Sequence, residues 1–407
     1  MEKKIIALTG GGTGGHIYPN IALLPTLKEY GFDIVYFGGV GDTLERRLAA
    51  KHNLPYYEAP TVKFCRSLSP KAIWKNFKIP QMLSVAKKIA LKNLVEIHPA
   101  AVFSKGGYVS LPVTLAALEL NIPVFCHESD LTEGLANRVA VSRGGVALKC
   151  NPHSTFKGKT VGMPLRQALF APTKFSARNV LNIPQNEKVL LIVGGSSGAT
   201  AINDVVEKNI EELTKKYFVL HITGKGKLNL TNIDDNSKNL QNGICSQSLQ
   251  NQNSQNINSQ NLQSVNFKNS VLSNANLNAN LNRSLKYRQI EYADNIEQYL
   301  HAADLVVSRA GATAVFELSA LKCKALFVPL PKGVSRGDQI FNADLAKEYG
   351  GNVLLQDKNF DKNFMPSIDL AFKNPPMRVI ENDANRKIAE IICDTIRRGE
   401  LWSDKKQ

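Results

Sequence analysis

Short apolar runs of strand length alternate with helical patterns over most of the chain. Lys4–Thr9 is followed by a glycine-rich turn and by a helical pattern at Ile21–Lys28, and Phe32–Phe37 is the next apolar run. The second half begins the same way, because Lys188–Val193 runs into another glycine-rich turn and then into a helical pattern from Asn203. Strands that alternate with helices predict parallel sheets. We therefore predict an α/β fold of the GT-B type, with two Rossmann-like, doubly wound domains that face each other across a cleft.

A polar segment from about residue 229 to 284 interrupts the second half. Asn, Gln and Ser dominate it, and such a composition cannot offset the entropy cost of ordering by burial. We interpret it as a disordered or weakly ordered insertion in a surface loop. Because Gly162–Arg166 is typical of a hinge, the predicted domains are 1–163 and 164–345, the second carrying the insertion. Residues 346–407 follow, and their amphipathic helix is expected to pack back on the first domain.

Five glycines occupy six positions in Gly10–Gly15, directly after the first strand, and His16 closes the turn. A strand, a glycine turn and a helix start form a phosphate cradle, because backbone N–H groups there reach an anion. The spacing is not that of the dinucleotide fingerprint, and Phe32–Phe37 ends in two glycines instead of an acidic residue, which disfavours a dehydrogenase. We predict that His16 is a general base or a donor to phosphate. The alternative is a histidine that only caps the helix.

The stretch Ser308–Leu318 repeats this arrangement, with a strand before it and a helical pattern after it. Thr313 lies at the predicted helix start and Glu317 lies one turn later on the same side. A carboxylate there suits a vicinal diol such as a ribose, with the phosphates on the helix end. The alternative is an ordinary turn with a solvent-exposed glutamate. Three polar residues at a later strand-to-helix junction are candidates for sugar hydroxyls: Asp338, Gln339 and Asn342.

Two more strand ends carry polar or glycine-rich turns, Lys105–Tyr108 and His127–Asp130. A doubly wound sheet has its site at the carboxyl edge of its strands, so these turns are expected to lie near the first glycine turn. Glu128 and Asp130 are candidates for a general base or for acceptors of sugar hydroxyls. The alternative is a pair of acids that cap the next helix.

The composition indicates a protein with an anionic partner. The chain has 407 residues, 43% of them hydrophobic and 21% charged, and a formal net charge of +15. A nucleic acid, a phosphorylated substrate or an acidic membrane surface would each fit this charge, and a general preference for lysine is the alternative. The six cysteines form no CxxC pair, which predicts a reducing compartment with neither a disulfide framework nor a zinc site. We expect no signal peptide and no membrane-spanning helix.

Bulky apolar residues and lysines alternate in the stretch 62–94. The predicted membrane patch consists of Ile73, Trp74, Phe77, Lys75 and Lys78. Apolar side chains ringed by cations suit an anionic bilayer surface. The alternative is a helix whose apolar side packs in the core and whose lysines are solvated.

Together the motifs resemble the MurG family of glycosyltransferases. They occur in the family's order and cover nearly the whole chain apart from the polar segment. The matching motifs are Gly10–His16, Lys105–Ser110, His127-Glu128, Gly162-x-Pro-x-Arg166, Gly194–Ala199, Arg309–Thr313 with Glu317, and Asp338–Ala343. Two departures occur: His127-Glu-Ser-Asp130 stands where the family commonly has His-Glu-Gln-Asn, and Ser197 stands where many relatives have Gln. Asp130 accepts hydrogen bonds only when ionised, whereas Asn also donates.

The resemblance implies an inverting transfer of N-acetylglucosamine (GlcNAc) from UDP-GlcNAc to undecaprenyl-diphosphoryl-N-acetylmuramoyl-pentapeptide. It further implies a peripheral enzyme on the cytoplasmic face of the inner membrane, active in peptidoglycan synthesis, with no cofactor and no metal. His16 and then Glu128 are the candidate bases. The implied donor-binding residues are Thr13, Gly14, Gly15, Asp130, Arg166, Ser196, Ala293, Ala312, Thr313, Glu317 and Gln339. The implied residues for the acceptor diphosphate are Gly11, Gly12, Gly106, Gly107 and Tyr108.

Two other functions stay open from the sequence. One is a different GT-B transferase that uses a UDP-sugar and another lipid acceptor, such as diacylglycerol. The other is a basic nucleotide-binding or nucleic-acid-binding protein. The second is disfavoured because the cations cluster with aromatic residues in one stretch and no nucleic-acid-binding motif occurs.

Overall fold

The computed structural model describes residues 4–60, 69, 77, 79–195, 198–228, 286–332 and 337–403, with the side chains of 400–403 excepted. Several sequence predictions therefore lie outside the described residues. These are the polar segment 229–284 and the side chains of Ile73, Trp74, Lys75, Lys78 and Ser196.

Strands and helices alternate through the described part of the chain. The strands are β1 Ile5–Thr9, β2 Asp33–Gly38, β3 Tyr56–Glu58, β4 Ala101–Ser104, β5 Val124–Glu128, β6 Val146–Lys149, β7 Lys159–Thr160, β8 Val189–Val193, β9 Phe218–Ile222, β10 Tyr287–Ile290, β11 Leu305–Ser308, β12 Ala325–Phe327 and β13 Asn352–Val353. The helices are α1 Gly14–Glu29, α2 Leu44–Lys51, α3 Ile79–Ile97, α4 Ser110–Glu119, α5 Leu135–Ser142, α6 Lys174–Val180, α7 Thr200–Lys208, α8 Ile210–Lys216, α9 Ile296–Ala302, α10 Ala312–Ala320, α11 Asp338–Glu348, α12 Phe360–Lys373 and α13 Ala384–Ser403. A 3₁₀ helix spans Gln167–Phe170.

The first sheet has the order β3-β2-β1-β4-β5-β6-β7, and its strand pairs are parallel. The order runs outward from β1 in both directions, so the sheet is doubly wound. Thr9, at the end of β1, pairs with Ser104, at the end of β4. The turns that follow these two strands therefore start side by side at the switch point of the sheet, where doubly wound folds bind ligands.

Alternation along the strands divides the core of this sheet into two clusters. Ile6 and Leu8 of β1 pack on one side, and Ala7 packs on the other with α3 and α4. Both sides are covered, which explains why these strands read as continuous apolar runs. Ile388 and Ile392 of α13 belong to the same cluster as Ile6 and Leu8, so the C-terminal helix buries its apolar side on the first sheet.

The second sheet has the order β10-β9-β8-β11-β12-β13. Its order also runs outward in two directions, here from β8. Val193, at the end of β8, pairs with Ser308, at the end of β11. The glycine-rich turn of the second half, residues 194–199, follows β8 directly in the sequence. The predicted α/β fold with two doubly wound parallel sheets is confirmed.

The chain forms two compact units. The first comprises Met1–Pro172, Arg309–Phe360 and Lys373–Gln407, and the second comprises Thr173–Ser308 and Asp361–Phe372. The domain boundaries expected at 163 and 345 stay predictions. Over the residues described, no helix has the length and apolar character needed to cross a bilayer.

Candidate active site

The first glycine turn rests on a buried polar support. The hydroxyl of Tyr36 donates to the carbonyl of Gly10 at 2.7 Å. Asn20 of α1 donates through Nδ2 to the carbonyl of Thr9 at 3.1 Å and lies 3.2 Å from the Tyr36 hydroxyl. Burial raises the pKa of Tyr36, so its phenol stays protonated and remains a donor. Two buried side chains therefore hold the carbonyl groups at the start of the turn.

The first glycine turn, Gly10–Gly15, and the second, Lys105–Tyr108, are in close contact at the switch point of the first sheet. Gly107 has φ +82°, and a Cβ there would lie 2.9 Å from the carbonyl oxygen of Gly11. Gly12 has φ +83°, and a Cβ there would lie 2.6 Å from the ring of Tyr108. A side chain at either glycine would be strained by its backbone and would also push the turns apart. The predicted acceptor-diphosphate residues are thus brought together, including Gly106, whose Cβ would meet the Asn137 amide.

His16 is fixed by the residue that precedes α1. Its Nδ1 lies 3.0 Å from the hydroxyl of Thr13, and its backbone N–H donates to the carbonyl of Thr13. The Thr13 side chain makes no capping bond to the helix, so its hydroxyl serves the imidazole. Gly14 and Gly15 form the first turn of α1, and a Cβ on Gly15 would meet nothing closer than 4.0 Å.

Glu128 is buried, and four N–H donors surround its carboxylate. Oε1 accepts from the backbone N–H groups of Ser129 and Asp130 at 3.0 and 3.3 Å. Oε2 accepts from the N–H of Gly134 at 2.8 Å and from Asn137 Nδ2 at 3.0 Å. Gly134 immediately precedes α5. Glu128 therefore shapes the loop from Ser129 to the start of α5, which is close to the helix-capping alternative considered for it.

Arg166 and Glu317, which the sequence assigned to the diphosphate and the ribose, lie side by side. Arg166 Nη2 is 3.5 Å from Glu317 Oε1, and the two side chains are only 18% and 15% exposed. The guanidinium also stacks over the ring of Tyr18, 5.2 Å from its centroid. The hydroxyl of Thr313 lies 4.0 Å from the sulfur of Met163. These contacts bring the first turn of α10, where Ala312 is buried, to the Arg166 segment.

The junction before α11 is arranged by its own polar side chains. Gln339 Oε1 accepts from the N–H of Leu330 at 3.0 Å, and Thr132 donates to Asp338. Asn342 is buried and donates to the carbonyl of Ala310 at 3.1 Å, in the turn before α10. Asn342 and Gln339 therefore hold backbone groups of this unit, and the predicted contact of Gln339 with a sugar stays a proposal.

The second unit supports its glycine turn in a similar way. Gly198 has φ +69°, and a Cβ there would lie 2.1 Å from the carbonyl oxygen of Thr223. Asn203 of α7 donates to that carbonyl at 3.0 Å. His221 bridges Asn203 at 3.1 Å and Tyr287 at 2.8 Å, and burial lowers its pKa to about 4. Ala293, predicted to contact uracil, lies between β10 and α9 in this unit.

Four residues that support the site were missed by the sequence reasoning. Lys105 Nζ lies 2.7 Å from Nδ1 of His127. The ring of Tyr18 stacks with the guanidinium of Arg166. Asn20 and Asn137 hold the first glycine turn and Glu128. A usable signal existed for two of them: a lysine directly after a buried strand, and an asparagine within an apolar helical run. Nothing in the local sequence marks Tyr18 or Asn137.

Comparisons with known proteins find relatives over most of the chain. The profile of the glycosyltransferase family 28 N-terminal domain matches residues 6–144, and that of the family 28 C-terminal domain matches 189–262 and 245–392. A Clostridium perfringens (strain SM101) protein is 34% identical over 371 residues, covering 90% of this chain and 89% of its own. A Lachnospira eligens protein is 37% identical over 368 residues, covering 89% and 88%. Both are named UDP-N-acetylglucosamine–N-acetylmuramyl-(pentapeptide) pyrophosphoryl-undecaprenol N-acetylglucosamine transferase.

Among solved structures, MurG of Acinetobacter baumannii is similar in fold. The TM-score is 0.62 with 21% sequence identity, over 96% of this chain and 99% of that one. At this identity the likeness concerns the fold alone.

Replacing Glu128 by Gln tests its role as the organiser of the loop. The amide nitrogen cannot accept, so two of the four N–H donors lose their partner, and we expect a loss of about 2–4 kcal/mol in the free energy of unfolding by urea. The control is Glu133→Gln in the same loop, whose ion pair with Arg138 lies at the surface and should contribute less than about 1 kcal/mol. Equal stabilities of the two variants would contradict the assignment.

Proposed function

The chain belongs to glycosyltransferase family 28, among its N-acetylglucosamine transferases of the MurG type, and we propose that it makes the β-1,4-linked disaccharide of the peptidoglycan precursor. GlcNAc passes from UDP-GlcNAc to the muramoyl 4-hydroxyl of undecaprenyl-diphosphoryl-N-acetylmuramoyl-pentapeptide. The hydroxyl oxygen forms a bond to the anomeric carbon, the bond from that carbon to UDP breaks with inversion, and the hydroxyl proton goes to a base. Relatives of that name, similar over about nine-tenths of the chain, support the proposal.

The observation that carries the proposal is the convergence of Arg166 and Glu317 beside the start of α10. A guanidinium and a helix N-terminus both attract a diphosphate. A carboxylate one turn into the same helix suits the two hydroxyls of a ribose. A cation and a carboxylate that are already adjacent fit a ligand that presents phosphate and diol next to each other, as UDP does. Ala312 and Thr313 supply backbone N–H groups at the same helix end.

His16 is the base that the geometry favours. When Nδ1–H donates to the Thr13 hydroxyl, 3.0 Å away, Nε2 carries the lone pair and can take the proton of the acceptor hydroxyl. Glu128 suits this role less well, because its two oxygens already accept four hydrogen bonds. We assign Glu128 to the loop that carries Asp130, and we assign Asp130 to the sugar of the donor.

The leaving diphosphate is stabilised by the chain itself. The sequence contains no Asp-x-Asp motif, on which many nucleotide-sugar enzymes hold a metal ion. We assign the developing charge on UDP to Arg166 and to the N-terminus of α10, because fixed dipoles and a fixed cation need no reorganisation during the reaction.

Helix α3 supports a peripheral location on the inner face of the cytoplasmic membrane. Ala86, Ala90 and Leu94 are fully buried on one side of the helix. Met82 and Val85 of the same helix are about half exposed, at 48% and 53%. Two further exposed groups extend this surface: the apolar side chains of Phe77 and Ile89, and the lysines Lys88 and Lys92. Apolar side chains next to cations bind anionic bilayers.

Replacement of His16 by Ala tests the assignment of the base. Transfer of labelled GlcNAc from UDP-GlcNAc to the muramoyl lipid should fall in kcat by about 10²–10⁴, with the KM for UDP-GlcNAc unchanged. Thr13→Val should lose part of this activity and Thr13→Ser should keep it, because Ser retains the hydroxyl. The exposed His153→Ala serves as the matched control. A His16→Ala enzyme with nearly full kcat would return the role to Glu128.

Replacement of Arg166 by Ala tests the stabilisation of the leaving group. Loss of one such charge contact should lower kcat about 100-fold, whereas Arg47→Ala, an exposed arginine, should have no effect. The wild-type rate should be the same with and without EDTA. Loss of transfer in the presence of EDTA would refute the metal-free mechanism. Transfer of GlcNAc to diacylglycerol at the same rate as to the muramoyl lipid would favour a different acceptor.

A triple variant, Phe77→Ser/Met82→Ser/Val85→Ser, tests the membrane surface. Each side chain contributes up to about 1.5–3 kcal/mol when fully buried, so co-sedimentation with phosphatidylglycerol vesicles should weaken at least tenfold while the fold is kept. The control, Val180→Ser/Leu370→Ser, changes exposed apolar residues of the second unit. Unchanged vesicle binding by the triple variant, or its weakening by both variants alike, would count against α3 as the membrane surface.

A further inference from the structure

We propose that Lys105 is a positioning residue of the reaction: its buried ammonium holds His127 in one tautomer, and through His127 it fixes the turn that carries Arg166. This inference rests on the proposed function, because the position of Arg166 matters only if Arg166 holds the donor. Lys105 directly follows β4 and is the first residue of the second glycine turn. It is not among the residues assigned to either substrate.

The ammonium group of Lys105 is buried and hydrogen-bonded. The side chain is 2% exposed, and burial of a lysine is costly unless its donors are satisfied. Its Nζ lies 2.7 Å from Nδ1 of His127 on β5 and donates to the hydroxyl of Ser129. The charged or titratable groups facing it are, besides His127, Glu128 at the end of β5, Asp130 after β5 and Cys150 after β6.

The direction of the hydrogen bonds follows from Lys105. An ammonium can only donate, so His127 Nδ1 must accept and the ring proton must lie on Nε2. Nε2 is 2.8 Å from the carbonyl oxygen of Gly162 and therefore donates to it. The pKa of His127 is well below 6.5 because burial and the neighbouring cation disfavour the imidazolium. His127 is thus a neutral link with a fixed direction from Lys105 to Gly162.

The turn at Gly162 is held on both sides. His127 contacts its carbonyl, and Asn382 makes two bonds to the next residue: Met163 N–H donates to Oδ1 at 2.9 Å, and Nδ2 donates to the Met163 carbonyl at 2.7 Å. Gly162 has φ +92°, and a Cβ there would lie 2.2 Å from Asn382 Oδ1. Arg166 follows four residues later, so its starting point depends on this grip.

Lys105 also connects Arg166 to the glycine turns. The backbone N–H of Lys105 donates to the carbonyl of Thr9 at 3.0 Å. A Cβ built on Gly10 would lie 3.1 Å from the Cβ of Lys105. Lys105 thus contacts Thr9, just before the first glycine turn, and is itself the first residue of the second. Through His127 it also holds the turn at Gly162 that precedes Arg166. Its loss should misplace groups that serve both substrates.

The charge of Lys105 gives the link a pH dependence. Burial lowers its pKa to about 8, although Glu128, Cys150 and Asp130 act in the opposite direction. The ammonium is therefore present below pH 8 and is lost above it, so transfer should decline on the alkaline side. Stability changes in the opposite sense between pH 8 and 9, because the unfolded chain keeps the lysine protonated and binds more protons than the folded protein. An alkaline loss of activity through Lys105 is therefore not unfolding.

The test begins with NMR of the wild-type protein labelled with ¹⁵N in histidine, the His127 signals being assigned with His127→Gln. We expect the Nε2–H tautomer at pH 7 and a chemical-shift step near pH 8 that reports Lys105. In Lys105→Met the step should vanish, and in the exposed-lysine control Lys157→Met it should stay. A wild-type Nδ1–H tautomer, no step near pH 8, or a step retained in Lys105→Met would overturn the proposal.

The second part measures transfer between pH 7 and 9.5. Lys105→Met should lower kcat at pH 7 on the order of tenfold and abolish the alkaline decline, and Lys105→Arg, which stays charged, should also lack the decline while retaining more activity. A Lys105→Met enzyme with the wild-type pH profile would refute the positioning role. If the wild type transfers no GlcNAc at all, the proposed function fails, whereas the NMR experiment still decides whether Lys105 controls His127.

Discussion

The close approach of two glycine turns at the switch point of the first sheet is the constraint on which the site depends. Parallel pairing sets the ends of β1 and β4 side by side, and the turns after them touch through Gly11, Gly12 and Gly107. At Gly12 and Gly107 glycine satisfies both the left-handed backbone angles and the short distances. Since the backbone is bare, its N–H groups can meet an anion directly, and His16 and Tyr108 are brought to the same place by the same contact.

Both units support their glycine turns by a similar device. An asparagine on the following helix donates to a carbonyl near the turn and is hydrogen-bonded to a ring on the neighbouring strand: Asn20 with Tyr36 in the first unit, Asn203 with His221 in the second. Both rings are buried. These hydrogen bonds fix the backbone next to each glycine turn on the side that faces the sheet and the helix.

The sequence predicted the fold class and the strand ends well, because alternation of strands and helices and runs of glycine are local signals. The resemblance to a family placed Arg166 and Glu317 among the donor-binding residues; their side chains lie 3.5 Å apart, and their shared task stays a prediction. The sequence could not show how Glu128 is used, since three of the N–H groups around that carboxylate depend on the loop conformation and the fourth is the side-chain amide of Asn137 on α5. The contacts of Lys105 with His127, and of Tyr18 with Arg166, depend on which loops the sheet order brings together. Such neighbours have no fixed spacing in the chain.

The ion pair between Arg166 and Glu317 closes a long stretch of chain, and the polar segment 229–284 lies within it. The entropy needed to bring two such ends together grows only with the logarithm of the length between them. Lengthening the stretch by roughly half costs about 0.4 kcal/mol, less than one surface hydrogen bond. A binding site assembled from residues far apart in sequence can therefore tolerate large insertions between its halves, provided that the insertions leave the sheet itself alone. Length variation within this stretch is thermodynamically almost neutral.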